Sequence, residues 1–253
     1  AMIEIQTANA PASLTLRNII LDDLGRHGGT VFAQAVSQGE NEGDVPNNST
    51  YVQDAIVASN ATNACTITLG AGTVLRNYGG MSAVRVTNQA VLKMEAGSAM
   101  EDTTVTDRTK GSAEGEVGPA GAVWTQGGAL LMEAGAEIRN MVGRAIYADG
   151  GSITIGGKIY NITGDADMWQ GNLKQKTLSG VALHLRNGAV GSMSATGEIT
   201  DIKGRGNAVF ATGEAVRFTM EHGSKIHDFA NLCGVYMVYG KLYMDGEISK
   251  LSE

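Results

Sequence analysis

Proline is almost missing from this chain: three among 253 residues. Proline cannot donate to a hydrogen-bond ladder, so its scarcity suits a backbone full of tight corners whose N–H groups are needed. Cysteine is as scarce, with Cys65 and Cys233 alone. No C-x-x-C pair and no Cys/His zinc spacing occurs, which excludes a disulfide framework and a zinc module. Positive charge is outweighed, 19 Lys+Arg against 26 Asp+Glu, for a formal net charge of −7. That balance argues against a phosphate-binding surface, hence against nucleic acid as a partner, and favours solubility. No apolar run reaches the roughly 18 residues of a membrane-spanning helix, and the first residues do not read as a signal peptide. No Ser/His/Asp arrangement, phosphate loop or dinucleotide fingerprint stands out.

Glycine is abundant instead, at 35 residues, without a collagen-like triplet. Apolar residues make up 43%, enough for a core and too many for a disordered chain. The organising stretch is 120–164, AGAVWTQGGALLMEAGAEIRNMVG followed by RAIYADGGSITIGGKIYNITG. The second half repeats the grammar of the first. Each has a short alternating strand, a Gly-Gly corner, a second strand, another Gly corner, a third strand, then Asn and an apolar residue. A period of about 20–25 residues with this rhythm predicts a solenoid, whose core grows with the number of coils.

From residue 60 the frame continues in both directions, through ACTITLGAGTVLRN and SAVRVTNQAVLKMEAGSAMED to GVYMVYGKLYMDGEISK. Two loops interrupt it, at 102–119 and 164–179. Residues 1–59 read as an irregular N-terminal coil and cap, with LTLRN as a first, incomplete coil and a short helix over Tyr51–Ser59. Residues 60–253 read as one continuous solenoid. At ~4.8 Å per coil, Cys65 and Cys233 lie about six coils and ~29 Å apart, beyond disulfide reach.

Superposing the coils lines up columns. Val84, Val123, Ile146, Leu183, Val209 and Val235 share one first-strand position; Val86, Thr125, Ala148, Leu185, Ala211 and Met237 share the next but one. Strand side chains alternate, so both columns point inward. The second strand supplies Leu92/Met94, Leu130/Met132, Ile153/Ile155, Val216/Phe218 and Leu242/Met244; the third supplies Met100, Ile138, Ile159, Ile199, Ile226 and Ile248. A corner ladder follows: Asn77, Asp102, Asn140, Asn161, Asp201 and Asp228. Asn and Asp tolerate left-handed backbone, and stacked side chains can bond coil to coil. A row of metal ligands is the other reading, although calcium wants several convergent oxygens.

Between the inward first-strand columns runs an outward one: Arg85, Trp124, Tyr147, His184, Phe210 and Tyr236. Five consecutive coils present a ring there, at a spacing close to stacking distance. It is either a self-supporting ladder partly covered by a loop or a platform for sugar rings or a partner protein. Trp169, in the second insertion, could lean over it or pack against the solenoid. Asp149 and Arg186 fall on adjacent coils of the next outward column, where a surface ion pair is the plain reading. Asp22, Asp23, Arg26 and His27 form LDDLGRHGG, read as a polar corner, and His222 and His227 flank a glycine corner and read as solvated.

The coils 120–164 resemble the Gly-rich right-handed β-helix repeats of bacterial cell-surface proteins, of the pattern Gly-Gly-x-Val-Tyr-x-x-Gly-Gly-x-Leu-x-Met-x-Gly-Gly-x-Ile-x-x-Asn. The resemblance covers about 60–253, more loosely the LTLRN start, and belongs to the wider pectate-lyase-like class. It implies an all-β, right-handed, single-stranded parallel β-helix of about seven coils. It also implies a secreted or surface-anchored bacterial protein, a non-catalytic adhesin-like stalk or a module binding a glycan or a host or cell-surface protein. The alternative is a polysaccharide lyase or glycoside hydrolase acting on an acidic polysaccharide, since the same scaffold carries those activities. Pectate lyases use calcium held by Asp and an Arg base, which would fall to Asp149 and Arg186 with Asp165 or Asp167. LDDLGRHGG is similar to the Asp-Asp and Gly-His-Gly pieces of polygalacturonases, although without their coil-to-coil spacing. The opening AMIEIQ reads as a cloning remnant and GEISKLSE stops where another repeat would continue, so flanking domains are expected to cover unpaired ends.

Overall fold

The computed structural model describes residues 3–6, 10–23, 56–59, 63–80, 82–105, 121–164, 180–203, 207–230 and 233–250. Every regular element among them is a strand; none is a helix. Three strands make one turn. The first turn is Ile3–Gln6, Ala12–Leu16 and Ile20–Asp22; the last is Val235–Val238, Lys241–Met244 and Glu247–Ser249. Like-placed strands of successive turns pair in parallel, giving two sheets of eight strands and one of ten. The short pieces Gly79–Gly80 and Thr104–Val105 join the ten-stranded sheet beside its regular path. The three sheets enclose one continuous apolar cluster, a parallel β-helix.

The inward columns explain why these strands stack. Val123 pairs with Val84 and Ile146, and Ile146 with Leu183. All four are fully buried, as are Leu92, Met94, Met132, Ile155, Ile138, Ile159 and Ile199. Each such side chain contributes about 1.5–3 kcal/mol on leaving water, and a slip of one residue would turn a whole column outward.

The ladder Asn77, Asp102, Asn140, Asn161, Asp201 and Asp228 adopts left-handed backbone at every rung, with φ between 52° and 61°. Asn140 Nδ2 donates to Asp102 Oδ1 at 3.0 Å, and Asn161 Nδ2 to Asn140 Oδ1 at 2.8 Å. The same residue type therefore turns the chain and ties one turn to the next. At the opposite corner Gly151, φ 77°, cannot be replaced by a larger residue without cost, because a Cβ would run into the Gly128 carbonyl oxygen. Cys65 and Cys233 are both free thiols, and burial pushes that of Cys65 up.

Three details differ from the sequence reading. Eight turns are present among the described residues, because residues 3–22 close a complete rung that pairs with the second. Ile56–Ser59 is a strand of the first sheet, not the end of a helix; residues 51–55 lie outside the described residues. There Ile56 and Ala58 take the buried positions above Val84 and Val86, and alternate burial selects a strand. In the seventh turn the inward pair is Phe218/Met220 rather than Val216/Phe218. The corner before it runs through residues 213–216, longer than the two-residue corner 150–151, and alternation cannot count corner length. Phe218 then faces Gly191, whose missing side chain leaves room for the ring. Of the two insertions, residues 106–120 and 165–179, with Trp169, Asp165 and Asp167, lie outside the described residues.

Candidate functional site

The outward column of the first sheet forms as read. Arg85, Trp124, Tyr147, His184, Phe210 and Tyr236 are each other's register partners on six successive strands. Their rings meet mostly edge to face. Centroids lie 6.4 Å apart for Trp124–Tyr147, 5.0 Å for Tyr147–His184 and 4.8 Å for His184–Phe210, at interplanar angles of 72°, 86° and 71°. Phe210 and Tyr236 are stacked, at 5.7 Å and 5°. An edge-to-face pair sets the positive ring edge on the negative face of its neighbour, which favours it over a face-to-face sandwich.

Burial divides the column. Trp124, Tyr147 and His184 are buried, Tyr147 to 1% exposure, whereas Arg85 and Phe210 are half-buried and Tyr236 is 46% exposed. The central rings are thus removed from water and cannot serve as a bare platform. Cations flank them. The Arg85 guanidinium lies 5.2 Å from the Trp124 centroid and that of Arg144, a buried residue, 5.1 Å from the Tyr147 centroid. Arg186 Nη1 donates to Tyr147 Oη at 3.1 Å. Burial raises the Tyr147 phenol above its usual range, and Arg186 offsets this only in part. Burial likewise pushes His184 well below the usual imidazole value, with the charges of Arg144 and Arg186 adding to it. His184 is therefore a neutral ring at ordinary pH, in keeping with its place between Tyr147 and Phe210.

Asp149 and Arg186 face each other on adjacent turns, with Arg186 Nε 3.9 Å from Asp149 Oδ1. Asp149 also accepts from Asn187 Nδ2. The carboxylate and the guanidinium thus hold one another, Asn187 and Tyr147, instead of converging on an open centre. Among the described residues no group of three or more His, Cys, Asp and Glu side chains could hold a metal ion. No family model, curated protein or solved structure matches the chain. The local geometry therefore carries the functional reading.

The other candidates resolve into the scaffold. Asp22 bridges Arg76 Nε at 2.7 Å and accepts from Asn77 Nδ2 at 2.8 Å. Asp23 is buried beside it. Tyr78 is pushed up to about 12 by burial, then by Asp23 and Asp22. Arg26 and His27 lie outside the described residues. His222 is exposed, 3.9 Å from Asp245. His227, read as solvated, is instead half-buried between Glu198 Oε1 at 3.1 Å and Asp228 Oδ2 at 2.9 Å. Burial works to raise Glu198, but hydrogen bonds from Lys158 and His227 overcome it and leave that carboxyl lowered. Further along the same face Arg139 joins Glu101, Glu137 and Tyr160. The third sheet thus carries opposite charges on neighbouring rungs, which oppose a register slip.

The last turn carries three exposed tyrosines. Tyr239 and Tyr243 join Tyr236 there, and neither was singled out from the sequence. For Tyr243 the signal was available, since it alternates with the inward Leu242 and Met244. Tyr239 follows the strand at the corner and has φ 71°. A bulky side chain in left-handed backbone costs about 1–3 kcal/mol, so its place is not explained by stability.

Proposed function

We propose that this chain is a non-catalytic segment of a secreted or cell-surface bacterial protein, an adhesin-like β-helical rod that binds a glycan. The observation that carries the reading is the exposed ring of Tyr236 stacked on half-buried Phe210, with two further exposed tyrosines, Tyr239 and Tyr243, on the same turn. Tyrosine offers a large apolar face at low entropic cost together with a polar tip, which suits recognition of a sugar ring. The strained backbone at Tyr239 supports the same reading, because a residue held against its conformational preference calls for a reason beyond folding. The pairing of Asp149 with Arg186, and of Glu198 with Lys158 and His227, favours a scaffold role for these charges over acid–base work. The resemblance of the Gly-rich repeats supports the surface location.

A glycan array probed with the 253-residue chain tests the reading. Binding to one glycan class is expected, and Tyr236→Ala with Tyr243→Ala abolishes it while far-UV circular dichroism stays unchanged. Silence of the folded wild-type chain across the array overturns it, as does binding that survives loss of both rings.

A further inference from the structure

The corner ladder is not held in the same way along its length. Its earlier rungs tie themselves: Asn77 donates to Asp22, Asn140 to Asp102 and Asn161 to Asn140. The two rungs after Asn161 are Asp201 and Asp228, and two carboxylates cannot donate to each other. Each takes a donor from outside the ladder. Lys203 Nζ lies 3.1 Å from Asp201 Oδ2 and donates to Asn161 Oδ1 at 3.0 Å. For Asp228 the donors are His227 Nδ1, 2.9 Å from Oδ2, and Thr200 Oγ1, 3.3 Å from the same oxygen. The lysine charge is constant near neutral pH, whereas an imidazole is the side chain whose charge changes between about pH 5 and 8.

The surroundings of His227 allow two arrangements of the same atoms. Its Nε2 lies 3.1 Å from Glu198 Oε1, so only an imidazolium donates to both carboxylates. A neutral ring has one N–H for the two, and Thr200 decides which keeps it. The buried Thr200 Oγ1 stands 3.1 Å from Nδ1, so its hydroxyl can turn from Asp228 and donate to a bare Nδ1. A bare Nε2 would instead face the Glu198 carboxylate, which Lys158 Nζ pins at 2.8 Å. Against the burial that would raise it, hydrogen bonds from Lys158 and His227 hold the Glu198 carboxyl below its usual range, so it stays a charged acceptor. Asp228 is the freer carboxylate: its side chain is 39% exposed and has no partner but His227 and Thr200 among the described residues. The other charged and titratable groups on the packed strands are Lys225 on the same strand, Tyr160 beside Thr200, Asp201 in the ladder, and Glu247 and Lys250 flanking Ser249 on the next rung.

We propose that His227 is a pH-operated latch on this corner. As an imidazolium it holds Glu198 and Asp228 at once. When the Nδ1 proton passes to solvent, the Thr200 hydroxyl turns to Nδ1, the Nε2–H stays on Glu198, and Asp228 loses both of its donors. The backbone reports the release. Ile202 N donates to the Asp228 carbonyl at 3.1 Å and Ala230 N to the Ile202 carbonyl at 2.9 Å, so these two amides close the bridge just past the corner. With Asp228 unheld, both open more often. The latch lies on the third sheet and stands apart from the glycan reading.

Proton–nitrogen correlation spectra of the full 253-residue chain across a pH series read each nitrogen of the His227 ring. Both are expected to be protonated at the acid end, and Nε2 alone at the alkaline end. Over the same range the exchange protection of Ile202 and Ala230, corrected for intrinsic rates, is expected to fall about tenfold, the low end of what a hydrogen bond to a charged group supplies. His227→Gln, which cannot titrate, should flatten that dependence. Asp228→Asn should flatten it as well, since Asn keeps the left-handed corner without the charge. Thr200→Val, a change suited to a strand, should remove the preference for Nε2–H in the neutral ring. A neutral ring that keeps its proton on Nδ1 overturns the proposal. So does equal protection of the two amides on both sides of the His227 titration, or a pH dependence that survives His227→Gln.

Discussion

Replacing Asn140 tests whether the corner ladder turns the chain or merely decorates it. Asn140 has φ 56°, donates to Asp102 and accepts from Asn161. Either Asn140→Ala or Asn140→Gly removes both hydrogen bonds. They are solvent-exposed, so their loss costs about 0.5 kcal/mol each. The two variants then part company. Alanine must hold left-handed backbone at a cost of about 1–2 kcal/mol, for a total near 2–3 kcal/mol. Glycine holds it freely but loosens the unfolded chain, by about 0.4–1 kcal/mol, for a total near 1.5–2 kcal/mol. In an ordinary strand position glycine is the more damaging of the two, so the sign of the difference decides. Urea unfolding followed by far-UV circular dichroism is expected to give a lower midpoint for Asn140→Ala than for Asn140→Gly. A solenoid loses its turns in neighbouring blocks, so amide exchange of Glu137–Val142 should accompany the midpoint and report the same order. If Asn140→Gly proves the less stable, left-handed backbone is not what the ladder supplies, and the account of the corner is wrong.

Three further outcomes follow from the packing. His184 is held neutral while the unfolded imidazole titrates near 6.5, so the unfolded chain binds the extra proton as pH falls. Stability should therefore drop below about pH 6.5, by up to about 1.4 kcal/mol per pH unit, until the depressed folded value is reached; His184→Phe should flatten that limb of a pH-dependent urea series. A Cβ on Gly191 would lie 2.8 Å from Leu185 Cδ1 and 3.1 Å from Phe218 Cδ2. Gly191→Ala should cost about 1–3 kcal/mol by overpacking, and Phe218→Leu in the same chain should recover part of it in a double-mutant cycle. Tyr239→Asn relieves left-handed strain and should raise stability by about 1 kcal/mol in a thermal melt, while weakening glycan binding if the last turn is the binding end.

Much of the architecture was legible because a solenoid writes its tertiary structure into its period. Once Val123 and Ile146 occupy equivalent positions, their side-by-side pairing follows, and so does that of Trp124 with Tyr147. The Asn ladder was legible for the same reason, since one residue type recurs where the backbone must turn left-handed. Periodicity failed where a repeat has no fixed length. The corner at 213–216 displaced Phe218 from its expected partners, and the first turn was read as incomplete because residues 24–55 separate it from the second.

The candidate site was legible only as an address. The sequence placed Arg85, Trp124, Tyr147, His184, Phe210 and Tyr236 in one outward row, because alternation and register are properties of the chain alone. Which of those rings meet water was decided in three dimensions. Exposure depends on everything packed nearby, so Tyr147 and Tyr236, equivalent by register, came out at 1% and 46% exposed. Likewise the sequence made Asp149 and Arg186 neighbours, and only the folded chain engaged both, with Asn187 and Tyr147 as further partners. A repeat determines where each residue stands along the rod; what it touches is set by side chains distant in sequence, which no local pattern records.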